Sequence, residues 1–463
     1  MYMLKLAACS LLAACSLLAA FVTACGGSDS SHDQSTENAT DNTDNSPSPV
    51  YLTLDALRSN QCDITSPNTS AIFLVHDANG KILSEHQTDA NGHLEIEWTA
   101  ANKHITQLTY TDPNDLDVGI TVNSYLNVTA GDLGKQIHYI NNDIGCECNE
   151  VQIDISELYD SGEFQSVDFT ANRNYMSVPL NPTSQYSATK VSWCANSPTE
   201  LTLIDNHGLS THVAHVSFSQ DDDQALTLDD FTQGIEVKTT PPTESSFLVA
   251  YTGFYQFGNY SWNTSQHSSS HDKPIYIYPE LNLTSMLYTH DGQASSILDS
   301  HANINIASHQ SIDSSGDTQP IELLTANENF LQEVEHIALQ LKLDADTIDF
   351  DFSAYGSTIS STKLQLHDGT MFASDSDNIW SIHAGRAGLI PSLQLPHDIQ
   401  AKFDAIEHKK VSIRLAKVDR YLTLPEWRGQ IAKESRSAEP ENELIYQEGQ
   451  SIRIDFALTQ PVE

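Results

Sequence analysis

Asp-Ala-Asn-Gly occurs twice, at residues 77–80 and 89–92, and this repeated turn restricts the fold more than any other feature of the chain. Asn-Gly tolerates the positive φ angles of tight hairpin turns, whose twist matches that of the flanking strands. The copies lie twelve residues apart and bracket Lys81 to Thr88, a length suited to a single strand. The spacing predicts three strands in a meander: Ala71–His76, Lys81–Gln87 and His93–Thr99.

Period-two alternation runs through the rest of the chain. Ala71 to Val75 is a short buried run, and Leu94-Glu95-Ile96-Glu97-Trp98 alternates. So do Val151 to Ile155, Ile235-Glu236-Val237 and, near the end, Ile452, Ile454, Phe456 and Leu458. Half-buried strands spaced by Gly, Asn, Asp and Pro turns are what antiparallel sandwiches require. Of 463 residues, 39% are apolar, which is enough for real cores. At roughly 100–200 residues per domain, about two to four domains are expected. Helical periodicity is scarce. Asp398 to Lys410 places Ile399, Phe403 and Ile406 on one side, with Asp398 as the expected cap. Asn329 to Leu343 fits both periods, and we expect helix early and strand late.

The phrase from Val75 to Lys81, followed by Thr88 to Leu94, resembles carboxypeptidase-regulatory-like modules. Bacterial surface Ig-like repeats look similar here. The resemblance covers residues 60 to 112. It implies a transthyretin-like or immunoglobulin-like sandwich with an accessory or adhesive role, and it carries over no catalytic residue. The expected fold is therefore mainly β: several antiparallel β-sandwiches with few short helices. Lys238 to Glu244, with Pro241-Pro242 at its centre, reads as a linker, and a softer break lies near Asn141–Gly145. These divide the body into a carboxypeptidase-regulatory-like sandwich over 50–142, a second sandwich over 143–240, and a C-terminal β-rich domain over 245–463. No internal repeat runs through all three.

Residues 1–24 read as an export signal, with Lys5 at its start and an apolar run from Leu6 to Val22. Val22-Thr23-Ala24-Cys25 resembles the lipobox of bacterial lipoproteins, which implies acylation of Cys25. Cys9 and Cys15 sit in similar patterns but have too short an apolar core ahead of them. In such lipoproteins Asp after the acylated cysteine favours the inner membrane; Gly26 stands there, so the outer membrane is expected. Residues 25–49 carry five acids and no Lys or Arg, the composition of a disordered tether. No later stretch approaches 18 apolar residues, the length at which a spanning helix is read.

The tally of 62 acids against 22 Lys and Arg gives a net charge of −40. Such a polyanion gains nothing from phosphate counterion release, which excludes a general nucleic-acid role. It is repelled by anionic bilayers too, so membrane contact is expected through the lipid anchor alone. Once Cys9, Cys15 and Cys25 are accounted for, Cys62, Cys146, Cys148 and Cys194 remain. An even count in an exported chain points to two disulfides. Pairing Cys146 with Cys148 would close a very small ring. The favoured arrangement joins Cys194 to one of that pair and Cys62 to the other. A four-thiolate zinc site is the rival, and the spacing suits it poorly.

Catalytic signatures are missing: no Gly-x-Ser-x-Gly, phosphate loop, Gly-x-Gly-x-x-Gly or His-Glu-x-x-His occurs. Three clusters remain. Tyr251, Phe254, Tyr255, Phe257, Tyr260 and Trp262 crowd together, and Tyr251, Tyr255 and Trp262 are candidate sugar-stacking residues. Counted along one strand, however, Tyr251, Tyr255 and Phe257 face away from Phe254, Tyr260 and Trp262, which favours core packing. His267 and His271, with His207, His212 and His215, read as solvated loop residues rather than metal ligands. Asp344, Asp346, Asp349 and Asp351, with Asp221–Asp223, Asp375 and Asp377, are calcium candidates without an EF-hand pattern. Surface charge that maintains solubility is the favoured reading, and no cofactor is expected. The expectation is a lipid-anchored envelope protein that contacts another envelope protein or a glycan. A hydrolase using a carboxylate pair and a calcium-stabilised adhesin are the alternatives.

Overall fold

Each Asp-Ala-Asn-Gly stretch folds into the turn its residues favour. Asp77 Oδ1 accepts from the backbone N–H groups of Asn79 (2.8 Å) and Lys81 (3.0 Å). Asp89 Oδ1 does the same for Asn91 and His93, both at 2.8 Å. Gly80 and Gly92 close the turns at φ +82° and +77°. Asp205-to-Gly208 and Asp313-to-Gly316 repeat the chemistry with different middle residues. In this computed structural model the described residues are 48–60, 64–112, 115–140, 145–146, 148–171, 174–180, 188–194, 199–216, 224–237, 247–257, 260–268, 274, 276–278, 284–317, 323–355, 359–368, 378–406, 408–418, 423–436 and 449–459. Residues 1–48 and 49–463 form two units, and the described strands and helices all belong to the second. The expected signal, Cys25, the tether to residue 47, Cys62 and the linker at 238–244 lie outside the described residues.

The first third supplies β1 (Tyr51–Ser59), β2 (Thr65–Pro67), β3 (Ile72–His76) and β4 (Ile82–Gln87). It continues with β5 (His93–Glu97), β6 (His104–Asp112), β7 (Asp115–Tyr125) and β8 (Gly131–Tyr139). β3 and β4 pair as the first turn predicts. The expected meander then fails: β5 leaves β4 and pairs antiparallel with β1. Thr88, buried at the crossing, donates its hydroxyl to Asn68 O (2.7 Å), and Ala56 N–H donates to Gly92 O. The second turn thus carries the chain from one sheet to another. Sheet β2-β1-β5, with β8 parallel to β1, faces β3 and β6 across a core of Leu52, Leu54, Phe73, Val75, Ile96 and Ile105. That is a sandwich.

A second sandwich follows. Its strands are β9 (Cys148–Asp154), β10 (Phe164–Ala171), β11 (Asn174–Pro179), β12 (Ala188–Cys194), β13 (Thr199–Asp205), β14 (Ser210–Val216), β15 (Gln224–Ala225) and β16 (Thr232–Gln233), with helix α1 (Ser156–Ser161) after β9. Sheet β12-β9-β15 and sheet β11-β10-β13-β14-β16 enclose one core that includes Ile153, Val167, Phe169, Leu201 and Leu203. β17 (Ile235–Glu236) ends the segment.

The last part contributes β18 (Phe247–Phe257), β19 (Tyr260–Ser268), β20 (Tyr276–Ile277), β21 (Thr284–Ile297), β22 (Ser300–Ser311), β23 (Thr347–Asp351) and β24 (Ile359–Asp368). β25 (Asn378–Ala384), β26 (Ala387–Pro391), β27 (His408–Val418) and β28 (Gly449–Thr459) complete the strands. Its helices are α2 (Glu328–Lys342), α3 (His397–Asp404) and α4 (Leu424–Arg436). Eight of the long strands join four from the first third in one twelve-stranded sheet, ordered β19-β18-β21-β22-β28-β27-β24-β25-β7-β6-β3-β4. The seam is a parallel pair, β25 on β7. The sheet therefore crosses both borders expected from composition, near residues 142 and 245.

Mainly β architecture with few helices is what the alternation predicts. The helix boundaries differ. Residues 328–342 are helical throughout, with no strand at the end: Asn327 caps Phe330 N–H (3.0 Å), and Phe330, Val334, Ile337 and Ala338 are buried along one face. Of the competing alternate leucines, Leu339 and Leu343 are exposed, at 45% and 70%, whereas Leu341 packs against the core. α3 stops at Asp404, and Lys409 and Lys410 belong to β27. Pro396, not Asp398, holds its cap position.

Candidate functional site

The first Asp-Ala-Asn-Gly turn does more than reverse the chain. Gln394 N–H donates to Gly80 O (2.9 Å), and Ile82 N–H donates to Gln394 Oε1 (3.3 Å). These bonds hold residues 392–394, between β26 and α3, against the turn. The held segment forms one wall of a cleft. α2 forms another, ending where Asp344 takes a left-handed φ of +50°, and α3 forms the third.

The inner part of the cleft has a volume of about 160 Å³. Leu364, Leu366, Trp380, Ile382, Ile390 and Phe403 supply its apolar surface. Trp380 is oriented by its indole N–H, which donates to Ser124 Oγ (3.0 Å), and by the Phe403 ring, 5.5 Å away between centroids. A polar mouth of about 390 Å³ opens beside it, sharing Asp344, Asp346, Gln400 and Asp404. All three aspartates are exposed, and Gln400 Nε2 donates to Asp404 Oδ1 (2.8 Å). Apolar walls with a few convergent polar groups are the general form of a ligand site. Lys409, at the start of β27, is the cation in the lining.

Asp344 and Asp346 thus reach the cleft, but Asp349 and Asp351 do not. Those two stand exposed on β23. The backbone N–H of Asp349 donates to Gln340 Oε1 (2.7 Å), and Asp351 Oδ1 accepts from Ser353 N–H (2.7 Å). Among the described residues no group of three or more His, Cys, Asp or Glu side chains could hold a metal ion. Asp221–Asp223, Asp375 and Asp377 lie outside those residues. His207 is exposed in a turn, His212 packs edge-on against Phe164 (5.3 Å), and His271 is outside the described residues.

The aromatic cluster is arranged differently from a single-strand count. The chain turns between Phe257 and Tyr260, which are cross-strand partners, so the alternation restarts on β19. Trp262 stands directly opposite Tyr255, and opposed residues share a face. Tyr251 is paired with Gln266, and Phe254 with Asn263. β19 is the sheet's terminal strand.

Cys146 is disulfide-bonded. Its Sγ accepts from Asn60 Nδ2 (3.7 Å), two residues before Cys62, while Cys148 lies directly opposite Cys194 in the β9–β12 register.

Sequence reading missed the cleft. Its lining comes from several elements between α2 and β27, with Leu458 from β28, and the alternation of Leu364 with Leu366 and of Trp380 with Ile382 signals strands without saying which face stays open. No family model matches the chain, and no curated protein matches it. Among solved structures, two B repeat units of the collagen binding protein of Staphylococcus aureus align over 79% of this chain and 92% of theirs, at 9% identity and a TM-score of 0.13. The native conformation of E. coli alpha-2-macroglobulin aligns over 79% of this chain and 27% of its own, at 8% identity and a TM-score of 0.12. No functional residue is carried across from either.

Proposed function

We propose that the chain is a lipid-anchored protein of the bacterial outer membrane that works by binding rather than catalysis. Its ligand is an apolar side chain of a partner envelope protein, flanked by Lys or Arg. The cleft carries this reading. Its inner volume suits one or two side chains, its walls are apolar, and Asp344, Asp346 and Asp404 give the rim a charge complementary to basic flanks. Labelled peptides with Leu or Phe between lysines are the direct probe, read by fluorescence anisotropy. Binding should weaken at least about tenfold, or about 1.4 kcal/mol, when Asp344, Asp346 and Asp404 are all changed to Asn. Equal binding to that variant, or no binding to the parent, overturns the reading.

The anchor rests on Val22 to Cys25 and the acidic tether. Mass spectrometry of the membrane form should find diacylglycerol on Cys25. Protease shaving of intact cells then distinguishes a surface-exposed body from a periplasmic one.

A second reading, glycan binding at the sheet edge, is favoured by the register that pairs Tyr255 with Trp262 and Phe257 with Tyr260 across β18 and β19. Aromatic faces present broad, weakly polar area of the kind sugar rings stack on. Tyr255→Ala and Trp262→Ala together should abolish retention on a glycan array if this face is the platform. For the cysteines we assign Cys62–Cys146 and Cys148–Cys194; peptide mapping without reduction that linked Cys62 to Cys194 would count against it.

A further inference from the structure

Beneath the cleft, the neighbouring strands β3, β6, β7 and β25 carry a line of polar side chains to which two of its walls are tied. His76 on β3 directs Nδ1 at Gly80 O (3.0 Å) and Nε2 at Thr106 Oγ1 on β6 (3.0 Å). Thr106 Oγ1 lies 2.9 Å from Ser124 Oγ on β7, which accepts from the Trp380 indole N–H of β25 (3.0 Å). His76, Thr106 and Ser124 are wholly buried. Trp380 lines the cleft, and Gly80 O is also the acceptor that holds Gln394 in the outer wall.

The two ends fix the direction of every bond between them. A carbonyl oxygen accepts and cannot donate; an indole N–H donates and cannot accept. His76 therefore carries its proton on Nδ1 and accepts at Nε2 from the Thr106 hydroxyl, which accepts in turn from the Ser124 hydroxyl. Four donors meet four acceptors, and a buried network satisfied in this way is rigid. A second proton on His76 upsets the match. Nε2 turns from acceptor into donor, and a positive charge enters a site closed to water. Water lies just across the turn, where Ala78 and Asn79 are exposed. Lifting the turn hydrates the imidazolium, breaks the bonds to Gly80 O and lets Gln394 go.

The surroundings oppose that proton. Burial lowers His76 by more than its bond to Gly80 and the charge of Asp77 raise it. His104 stands directly opposite on β6 and accepts at Nδ1 from Asn127 N–H (3.0 Å). Burial brings His104 to about 4 against the pull of the Ala78 backbone and Asp77, and His76 and Lys103 repel its proton. Lys81 faces Asp77 from the same turn. Glu85 on β4 and Asp398 on α3 act on Tyr110, Lys402 and Asp404 flank the buried Phe403, and residues 392–394 carry no titratable group. Tyr125 and His383 fall on the other face of β7 and β25 from Ser124 and Trp380.

We propose that the cleft grips its ligand while His76 is neutral, and that acidification lifts the first Asp-Ala-Asn-Gly turn, loosens Trp380 and the 392–394 wall, and releases the ligand. The inference rests on the cleft reading above and supplies the regulation of that site. His76 is a positioning residue, since it touches Gly80 and Thr106 rather than the ligand. With the imidazole held below its ordinary 6.5, the gripping form prevails at neutral pH and is lost as pH falls through the lowered value.

The test follows the affinity of the full chain, in detergent, for the labelled peptide with Leu between lysines. Affinity should be level above about pH 6.5 and fall at least about fivefold by about pH 4.5. His76→Gln and His76→Asn keep the rim carboxylates, so any slope that survives in them belongs to those acids; the parent's additional fall should vanish in both. A second readout needs no ligand. With nitrogen-15 in the tryptophan indoles and assignment through Trp380→Phe, the Trp380 N–H resonance should move over the same pH range in the parent and stand still in His76→Gln. A resonance indifferent to pH in the parent, or the same binding profile in the parent and both variants, overturns the proposal while leaving the cleft reading intact. No peptide binding at any pH, with the resonance still moving, overturns the cleft reading and the release with it.

Discussion

Gly80 and Gly92 occupy the same position of the same turn, and each is also pressed against the backbone of another element. A Cβ on Gly80 would come within 2.5 Å of Ser392 O, and one on Gly92 within 2.4 Å of Ala56 O. Gly162, which closes α1 at φ +67°, has nothing within 4 Å of its Cβ position. The three sites separate conformational strain from collision. Gly162→Ala should cost about 1–2 kcal/mol, the left-handed penalty alone. Gly80→Ala and Gly92→Ala should each cost about 1–3 kcal/mol more, because packed backbone has to move. Urea unfolding followed by tryptophan fluorescence measures all three; equal costs would show that the neighbouring backbone yields freely. Gly80→Ala should also weaken peptide binding at the cleft, since Ser392 forms part of its wall, whereas Gly92→Ala should leave it unchanged. The turn chemistry was legible from four residues. The second contact of each glycine was not, because it depends on where distant backbone comes to rest.

Among the elements, α4 has the most to hold in place. It crosses from the β7–β25 seam to the first sandwich. Arg428 donates to Leu126 O (2.8 Å) and His383 O (3.1 Å), one carbonyl on each side of the seam, and its guanidinium sits 5.7 Å from the centre of the Tyr125 ring. At the other end Arg436 pairs with Asp55 and Asp132, while Ser435 Oγ accepts from Lys135 N–H (2.8 Å). Hydrogen bonding from Arg436 holds the Asp132 carboxyl below its usual range. Burial pushes Asp55 up, but bonds from His93 and Arg436 outweigh it and leave it lowered too. Carboxyls with folded values below 3.8 add stability that is fully present above that value and is lost as pH falls through the lowered ones. Unfolding midpoints should therefore drop more steeply below about pH 4 in the parent than in Arg436→Met. At neutral pH that variant should lose about 1 kcal/mol, a small figure because these partly exposed charges are screened. Parallel pH profiles for the two proteins would show that the pairs do not couple to folding. Local patterning indicated few helices but not this one, because the residues that make α4 a crosspiece have partners some 300 positions away.

At the scale of the molecule, alternation and turns made the β character and the sandwiches legible, whereas the partner of each strand was not. β5 and β4 are neighbours in sequence yet belong to different sheets. β25 and β7 are neighbours in space across 258 residues, where Ile120 N–H donates to Asn378 Oδ1 (3.3 Å). Hydrophobic period specifies that a face is buried and is silent on what buries it. Composition marked borders near 142 and 245, but one sheet runs across both. Fragments cut at those borders should behave differently. Removed from the chain, residues 49–142 would keep the core between their own two sheets while uncovering Leu74, Leu108, Ile120 and Val122, which Ile399, Phe403 and Ile406 cover from α3 and its end. They would also present β7 as a raw edge open to pairing with other chains. The core of residues 148–237 is built from their own residues, Val151 to Phe231. The 148–237 fragment should therefore melt cooperatively with sharp near-ultraviolet dichroism, and the 49–142 fragment should bind a hydrophobic dye and associate. Mixing in a fragment spanning 245–463 should suppress both behaviours if the β7–β25 seam can form between chains. A monomeric, dye-silent 49–142 fragment would mean that the first sandwich is complete without α3, and that the long sheet is a contact between finished domains rather than a shared foundation.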